Sequence, residues 1–252
     1  MNIKYFDPRN FLRWQVIKDT MFVEDQIIIK TELDEIQKSS LWKIKWKDLI
    51  KENNYGNPPL FKDYPSSSGN SIHHTYHIYR YENFTNTNII DSDLIFEFGG
   101  GYGNMCRLIR NMGFKGRYII FDLKEFSYLQ EFYLNLQNIN VTNFDSNHNF
   151  SNMVITISEL NNLRYLKDIF CNNSLFIACW SLSEAPLNVR RIILELLPNF
   201  QKYLFAFQNQ FESIDNDNFF DILISNNNSI LWKKETIDHI KYNNYLFGSK
   251  NN

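Results

Sequence analysis

The sequence predicts an α/β fold: a mostly parallel sheet with helices on both faces, behind an N-terminal helical cap. Three observations predict it. From Asp91 onward, apolar runs alternate with amphipathic stretches. The first run, Leu94 to Phe98, breaks into Gly99-Gly100-Gly101-Tyr102-Gly103 and passes at once into Met105, Leu108 and Ile109 at helical spacing. The second run, from Arg117, closes on Asp122, nineteen residues after Gly103.

Taken in order, residues 1 to about 60 carry no strong β pattern. Leu41, Ile44, Leu49 and Ile50 fall near helical spacing behind Ser39 and Ser40, so two or more helices are expected. Breaks follow at Gly56-Asn57-Pro58-Pro59 and at Pro65 to Gly69. Asn70 or Ser71 stands where a cap would start a helix bearing His73, His74, Tyr76 and His77. Residues 1–88 are read as the cap and 89–252 as the core of one compact unit. After Asp122 a helix is expected from Lys124 to Gln137, then a polar, irregular stretch from Val141 to Asn152. A third strand spans Met153 to Ile157, and a short helix Leu160 to Phe170. The fourth strand, Ser174 to Trp180, opens into Ser181-Leu182-Ser183-Glu184 and a helix from Leu187 to Leu197. A fifth strand, Tyr203 to Phe207, ends in Gln208-Asn209-Gln210, and Asp217 to Ile224 is helical. Ser229 to Trp232 and Tyr245 to Gly248 are two further strands with no comparable helix between them, hence an antiparallel pair. That makes seven strands.

Composition narrows the class. The chain has 252 residues, 44% hydrophobic and 21% charged, enough for a full core, and a net charge of −2 without a basic tail or cluster, which argues against a nucleic-acid surface. Three scattered cysteines, Cys106, Cys171 and Cys179, lack metal spacing and a disulfide framework, and point to a reducing, cytoplasmic compartment. No signal peptide and no run near the twenty or so residues of a membrane span is seen. Thirty-four asparagines against three alanines resemble an AT-rich coding bias, so asparagine is discounted as evidence for a site.

Strand, glycine turn and helix together aim backbone N–H groups at an open crevice, which suits a carboxylate or phosphate. The dinucleotide pattern G-x-G-x-x-G fails, because its sixth position is Asn104. What stands here is Glu97-x-Gly99-x-Gly101-x-Gly103, similar to the first motif of class I S-adenosylmethionine (SAM)-dependent methyltransferases. Asp122 lies where nucleoside-binding folds place a ribose-binding acid, and an ionised carboxylate accepts from both hydroxyls of a diol. The alternative is a helix cap with Glu125 as its partner. If the glycine strand is first, the crevice lies between it and the fourth strand, so Trp180 to Glu184 face the reaction centre. Ser181-x-x-Glu184 is equally a capping box. His73 and His77 share a helix face; they read as a general base, as packing residues, or as a metal pair, for which no carboxylate ligand is near, and no metal is expected.

The block from Leu94 to Phe247 resembles class I SAM-dependent methyltransferases. Within them it resembles the sugar O-methyltransferases of bacterial surface-polysaccharide clusters, through Glu97 to Gly103, Phe121-Asp122-Leu123, the Tyr128-Leu129-Gln130 helix and Trp180 to Glu184. Ala185 and Lys124 depart from that narrower pattern, where Met and Pro are expected. The resemblance implies a Rossmann-like seven-stranded methyltransferase sheet, SAM as cofactor, and a carbohydrate or nucleotide-sugar acceptor. Glu97, Gly99, Gly101, Tyr102, Gly103, Asp122, Leu123, Ser158, Trp180 and Ser181 would hold the cofactor. His73, His74, His77 or Glu184 would be the base, and Tyr76, Ser183, Gln208 and Gln210 would meet the acceptor. Competing classes are an NAD-type oxidoreductase, a catalytically idle SAM-binding protein, and a methyltransferase for another small molecule or RNA. A homo-oligomer is left open.

Overall fold

The computed structural model describes residues 7–144, 153–168, 173–196, 198 and 200–250. Cys171, Leu197, the stretch 145–152 expected to be irregular, and the first six residues, on which the absence of a leader was read, lie outside the described residues.

Short-range signals build the N-terminal part. A 3-10 segment at Pro8–Arg13 is capped by the Asp7 carboxylate, and helix α1 follows at Gln15–Met21. Helix α2 (Gln26–Lys38) starts at Asp25, whose side chain accepts from the Ile27 and Ile28 amides. Its inward stripe is Ile29, Glu32, Leu33 and Ile36, apolar at helical spacing except for one carboxylate. A π-type turn at Trp42–Trp46 leads into the single turn α3 (Lys47–Leu49).

The expected break at Pro65 to Gly69 is instead structured. Strands β1 (Leu60–Phe61) and β2 (Tyr64–Ser68) form a hairpin that delivers the chain into helix α4 (Gly69–Thr85). The cap of α4 is Ser68, whose Oγ accepts from the Ser71 amide at 3.1 Å, rather than Asn70 or Ser71. Asn70 is not free to cap, because its amide is bonded to the segment after α1: Val23 N–H donates to Oδ1 (3.0 Å) and Nδ2 donates to the Met21 carbonyl (2.6 Å).

The core then alternates: β3 (Leu94–Phe98), α5 (Asn104–Asn111), β4 (Arg117–Phe121), α6 (Lys124–Leu136), β5 (Val141–Asn143) and β6 (Val154–Ile157). A 3-10 segment, Leu160–Asp168, stands where a short helix was expected. Next come β7 (Ser174–Cys179), the single turn α7 (Ser181–Glu184), α8 (Leu187–Leu194), β8 (Lys202–Gln208), the small hairpin β9 (Gln210–Phe211) and β10 (Ile214–Asp215), α9 (Asn216–Asn226), β11 (Ile230–Thr236) and β12 (Asn243–Lys250).

The main sheet runs β11-β12-β8-β7-β3-β4-β6-β5, with β12 antiparallel to both neighbours and every other pairing parallel. It has eight strands, not the expected seven. The extra one is β5, inside the stretch read as irregular. Three half-exposed residues on a sheet edge need only one partner strand and no apolar alternation.

Period-two alternation divides two cores. Leu94, Phe96 and Phe98 pack with α8 and α9 through Ile193, Phe220 and Leu223. Ile95, Ile120 and Leu175 on the other face pack with α4, α5 and α6, and the same core continues into the N-terminal residues Phe11, Ile36 and Trp46. Helix α4 lies between α2, α5 and β12. It buries polar residues as well as apolar ones, among them Asn70, Ser71, His73 and His77. Buried polar groups need partners, and those partners build one wall of the site.

Candidate functional site

Because β4, β3 and β7 are neighbours, their carboxyl ends open a common crevice. It forms a cleft of about 330 Å³, within the roughly 300–1,000 Å³ of small-molecule sites.

One wall is the glycine turn. Gly99 sits at φ +75°, and a Cβ there would lie 2.2 Å from the Ser181 Cβ, so the strand end touches α7 through bare backbone. At Gly101, φ is +56°, and a Cβ would project across the cleft toward Met21, 3.7 Å away. Gly103, also at positive φ, caps α5. Asp122 braces the turn from below. Its Oδ2 accepts from the Gly101 amide (3.0 Å) and from Gln130 Nε2 (2.9 Å), and its Oδ1 from the Leu123 amide (2.8 Å). Gln130 Nε2 also donates to the Gly101 carbonyl (2.9 Å), locking loop and acid together. Burial raises the Asp122 carboxyl to about 6, against the pull of these donors. Oδ1 keeps a lone pair for a further donor. The cap reading fails: α6 has no side-chain cap.

Glu97 points to the same side as Ile95 and lines the cleft. Tyr118 Oη donates to its Oε2 at 2.8 Å, and burial lifts the carboxyl to about 7.

The β7 end forms a second wall. Trp180 holds φ +63° and ψ −36°, a strained conformation for a bulky residue. It is fixed by its amide to the Ala206 carbonyl (2.6 Å) and by Nε1 to Asn243 Oδ1 (2.6 Å). Its indole stacks on His73 with ring centres 5.2 Å apart. The capping box at Ser181 is absent, because that hydroxyl donates to the Phe98 carbonyl. Glu184 lines the rim, its carboxyl raised by burial, and Gln208 Nε2 donates to it at 3.3 Å. Ser183, beneath it, donates from Oγ to the Trp180 carbonyl (2.7 Å).

The third wall lay outside the sequence reading. Asp19 to Val23, the end of α1 and the residues after it, cross the cleft mouth as a strap. Phe22 stacks on Tyr102 (5.6 Å, 11°), so the Tyr102 ring fastens the strap, while the Asn70 amide pins its backbone. No periodicity marks the strap, and Asn70 is one asparagine among thirty-four. The cleft also takes in Met105, Phe126 and Cys179, which sequence reasoning did not single out.

The histidines separate. His73 and His74 line the cleft, whereas His77 is fully buried behind them, its Nδ1 2.6 Å from Tyr245 Oη. Tyr76 is buried beside Arg80 and Tyr245, away from the cleft. Gln210 is exposed in the small hairpin, bonded to the Glu212 carbonyl, and does not reach the cleft either. Leu123 is exposed beside Asp122. Ser158 lines a separate depression of about 260 Å³ between α6 and the end of β6. That depression adjoins Asp122, whose amide donates to the Ile157 carbonyl. Among the described residues no cluster of three or more His, Cys, Asp or Glu is arranged to hold a metal ion. Nor is any helix long and apolar enough to cross a membrane.

No protein-family model matches the chain, and no curated protein matches it in sequence. Solved structures do. The methyltransferase domain of a bacterial protein, CtHen1-C, is 7% identical, with TM-score 0.50 over 71% of this chain and 99% of that one. An O-methyltransferase family protein from Burkholderia thailandensis is 9% identical (TM-score 0.46; 89% and 69% covered). A ribosomal protein L11 methylase from Lactobacillus delbrueckii subsp. bulgaricus is 15% identical (TM-score 0.44; 72% and 80% covered). The first of these, with the sheet described above, shows the fold of this chain to be the Rossmann-like fold of methyltransferases.

Proposed function

We propose that the chain is a SAM-dependent O-methyltransferase acting on a sugar hydroxyl, of a surface glycan or of its nucleotide-linked precursor. One observation carries the reading: a glycine turn open to the cleft is paired, at the tips of β3 and β4, with two buried carboxylates, Glu97 and Asp122. The residues fit the cofactor. Gly101, without a Cβ, leaves room beside main chain for the amino-acid end. Glu97 has one oxygen taken by Tyr118 and one left for an ammonium, and Asp122 Oδ1 can accept from a ribose hydroxyl. No Lys or Arg is among the lining residues, while Asp19, Glu97, Asp122 and Glu184 are. That charge favours a cationic cofactor and an acceptor presenting hydroxyls over one presenting phosphate to the same wall.

When bound, SAM supplies a methyl group on a positively charged sulfur, which leaves as a neutral thioether. The protein's tasks are then to orient the acceptor and to take its proton. Orientation alone contributes on the order of 7–11 kcal/mol, and a placed base about 10²–10⁴-fold. His73 and His74 on one side and Glu184 on the other are the candidate bases at the cleft. Trp180 presents its ring system there for cation–π attraction to the sulfonium.

Calorimetry with SAM, S-adenosylhomocysteine and NAD tests the cofactor: binding of the first two and not the third is expected, and the reverse would overturn the reading. Transfer of tritiated methyl to a panel of methyl glycosides, set against RNA and protein acceptors, tests the substrate.

A further inference from the structure

Helix α2 buries one carboxylate, Glu32, at 0% exposure in an otherwise apolar stripe. A carboxylate so placed is costly unless paired and hydrogen-bonded. Its partners are two histidines brought from distant parts of the chain. His73 Nδ1 on α4 lies 2.7 Å from Oε1 and 2.9 Å from Oε2, and His239 Nε2, between β11 and β12, lies 3.0 Å from Oε1. Burial pushes the Glu32 carboxyl up, but the two histidines more than reverse this and hold it below the usual carboxylate range. An ionised carboxylate only accepts, so Nδ1 of His73 carries the proton. In the neutral ring this leaves Nε2 as the acceptor, on an imidazole that lines the cleft and lies against Trp180.

The neighbouring histidines are arranged otherwise. Arg107 donates to Asn104 Oδ1 through Nε (3.1 Å) and Nη2 (2.8 Å), which fixes the direction of that amide. Asn104 Nδ2 therefore donates to His74 Nδ1 (3.0 Å), and the neutral His74 ring carries its proton on Nε2. Burial also lowers His74 to about 3. His77 does not line the cleft, and its Nε2 is buried without a partner.

We propose that Glu32 is a positioning residue for methyl transfer: it fixes His73 as the Nδ1–H tautomer, selects it from three histidines as the base, and balances the imidazolium formed when His73 Nε2 takes the acceptor's proton. The inference rests on the function proposed above. In the step, the acceptor O–H bond breaks and its proton forms the new Nε2–H bond; the oxygen's electron pair forms the bond to the methyl carbon as the carbon–sulfur bond breaks, whose pair remains on sulfur.

The test uses the full chain. Nitrogen-15 NMR of the unligated wild type reads the His73 tautomer directly, with a protonated Nδ1 and an unprotonated Nε2 expected. Glu32→Gln, whose amide can donate to Nδ1, is expected to shift the ring toward Nε2–H. It should also slow methyl transfer to the glycoside panel by at least about tenfold, with SAM affinity within about twofold of wild type. Glu32→Asp, which keeps the charge, is expected to restore the tautomer and part of the rate; this separates positioning from loss of fold. A wild-type Nε2–H tautomer, or a Glu32→Gln protein transferring methyl at the wild-type rate, overturns the assignment of Glu32 while SAM binding stands. Failure of the wild type to bind SAM, seen in calorimetry before any variant is made, overturns the functional reading itself.

Discussion

The cleft has two kinds of wall. The sheet side is backbone and short-range geometry: a glycine turn after β3, and Asp122 one residue beyond β4, tied to that turn by Gly101 and Gln130. The N-terminal side is made of side chains that find each other across the sequence: Asn70 to the strap 47 and 49 residues away, Glu32 to His73 across 41, Glu32 to His239 across 207. The first wall repeats what a strand-turn-helix unit does locally, whereas the second exists only once the cap has docked. Damage to the first is therefore expected to abolish ligand binding while leaving the cap in place. Damage to the second is expected to loosen the strap and slow chemistry while leaving the glycine-turn end of the cleft intact.

The largest effect is expected at Gly101. A Gly101→Leu side chain would fill the space facing Met21, and an L-residue at φ +56° carries strain of roughly 1–2 kcal/mol. SAM affinity measured by calorimetry is expected to fall more than about a hundredfold, corresponding to some 3 kcal/mol. Near-normal affinity would mean that the amino-acid end lies elsewhere.

Next is Asp122→Ala, expected to weaken SAM binding by well over about tenfold, or 1.4 kcal/mol, while circular dichroism shows the fold retained. An unchanged affinity removes Asp122 from the ribose.

A smaller effect is expected on the other wall. Asn70→Ala removes the partners of the Val23 amide and the Met21 carbonyl in a half-buried segment, at about 0.5–1.5 kcal/mol of local stability for each hydrogen bond lost. Hydrogen exchange is expected to speed up in residues 19–23 and not in the glycine turn. Equal protection in both variant and wild type would show that the strap is held by Phe22 on Tyr102 alone.

The smallest effect on SAM binding is one of protons. Burial holds Glu97 near 7 in the unligated protein, and a bound ammonium would favour its ionised form. SAM binding near pH 7 is thus expected to release up to about half a proton, read from calorimetry in buffers of different ionisation enthalpy. The same shift bears on stability. Between about 4.5 and 7 the folded protein keeps the Glu97 proton that the unfolded chain has lost. This group's contribution therefore falls as pH rises through that window and levels off above it. Asp122, raised to about 6, acts in the same direction, while His74, lowered to about 3, opposes both, its contribution being lost as pH falls below its ordinary range. Glu97→Gln is expected to flatten the fall in melting temperature across that window and to stabilise the protein above pH 7, by on the order of 3 kcal/mol at most.

The two walls were not equally legible in the sequence. The placement of Glu97, Gly99, Gly101 and Asp122 at one cleft was legible because a fixed count along the chain converts into a fixed place at the tips of adjacent parallel strands. The β5 edge strand could not, since three residues paired on one side carry no periodic signal. Ser181 and Glu184 looked like a cap, yet close approach of Gly99 draws the Ser181 hydroxyl to Phe98 instead. Three histidines on one helix gave no order among themselves.

The amino-acid sequence by itself determined the α/β class, the direction of the last strand pair and the carboxylates beneath the glycine turn, because each follows from periodicity or from spacing within one strand-turn-helix unit. Only the tertiary structure decided that Asn70 holds a strap across the cleft, that His77 lies behind it, and that Glu32 rather than a nearer acid faces His73. Those pairings arise because α4 is buried almost all round, and a buried polar group must take whichever partner the packing brings to it.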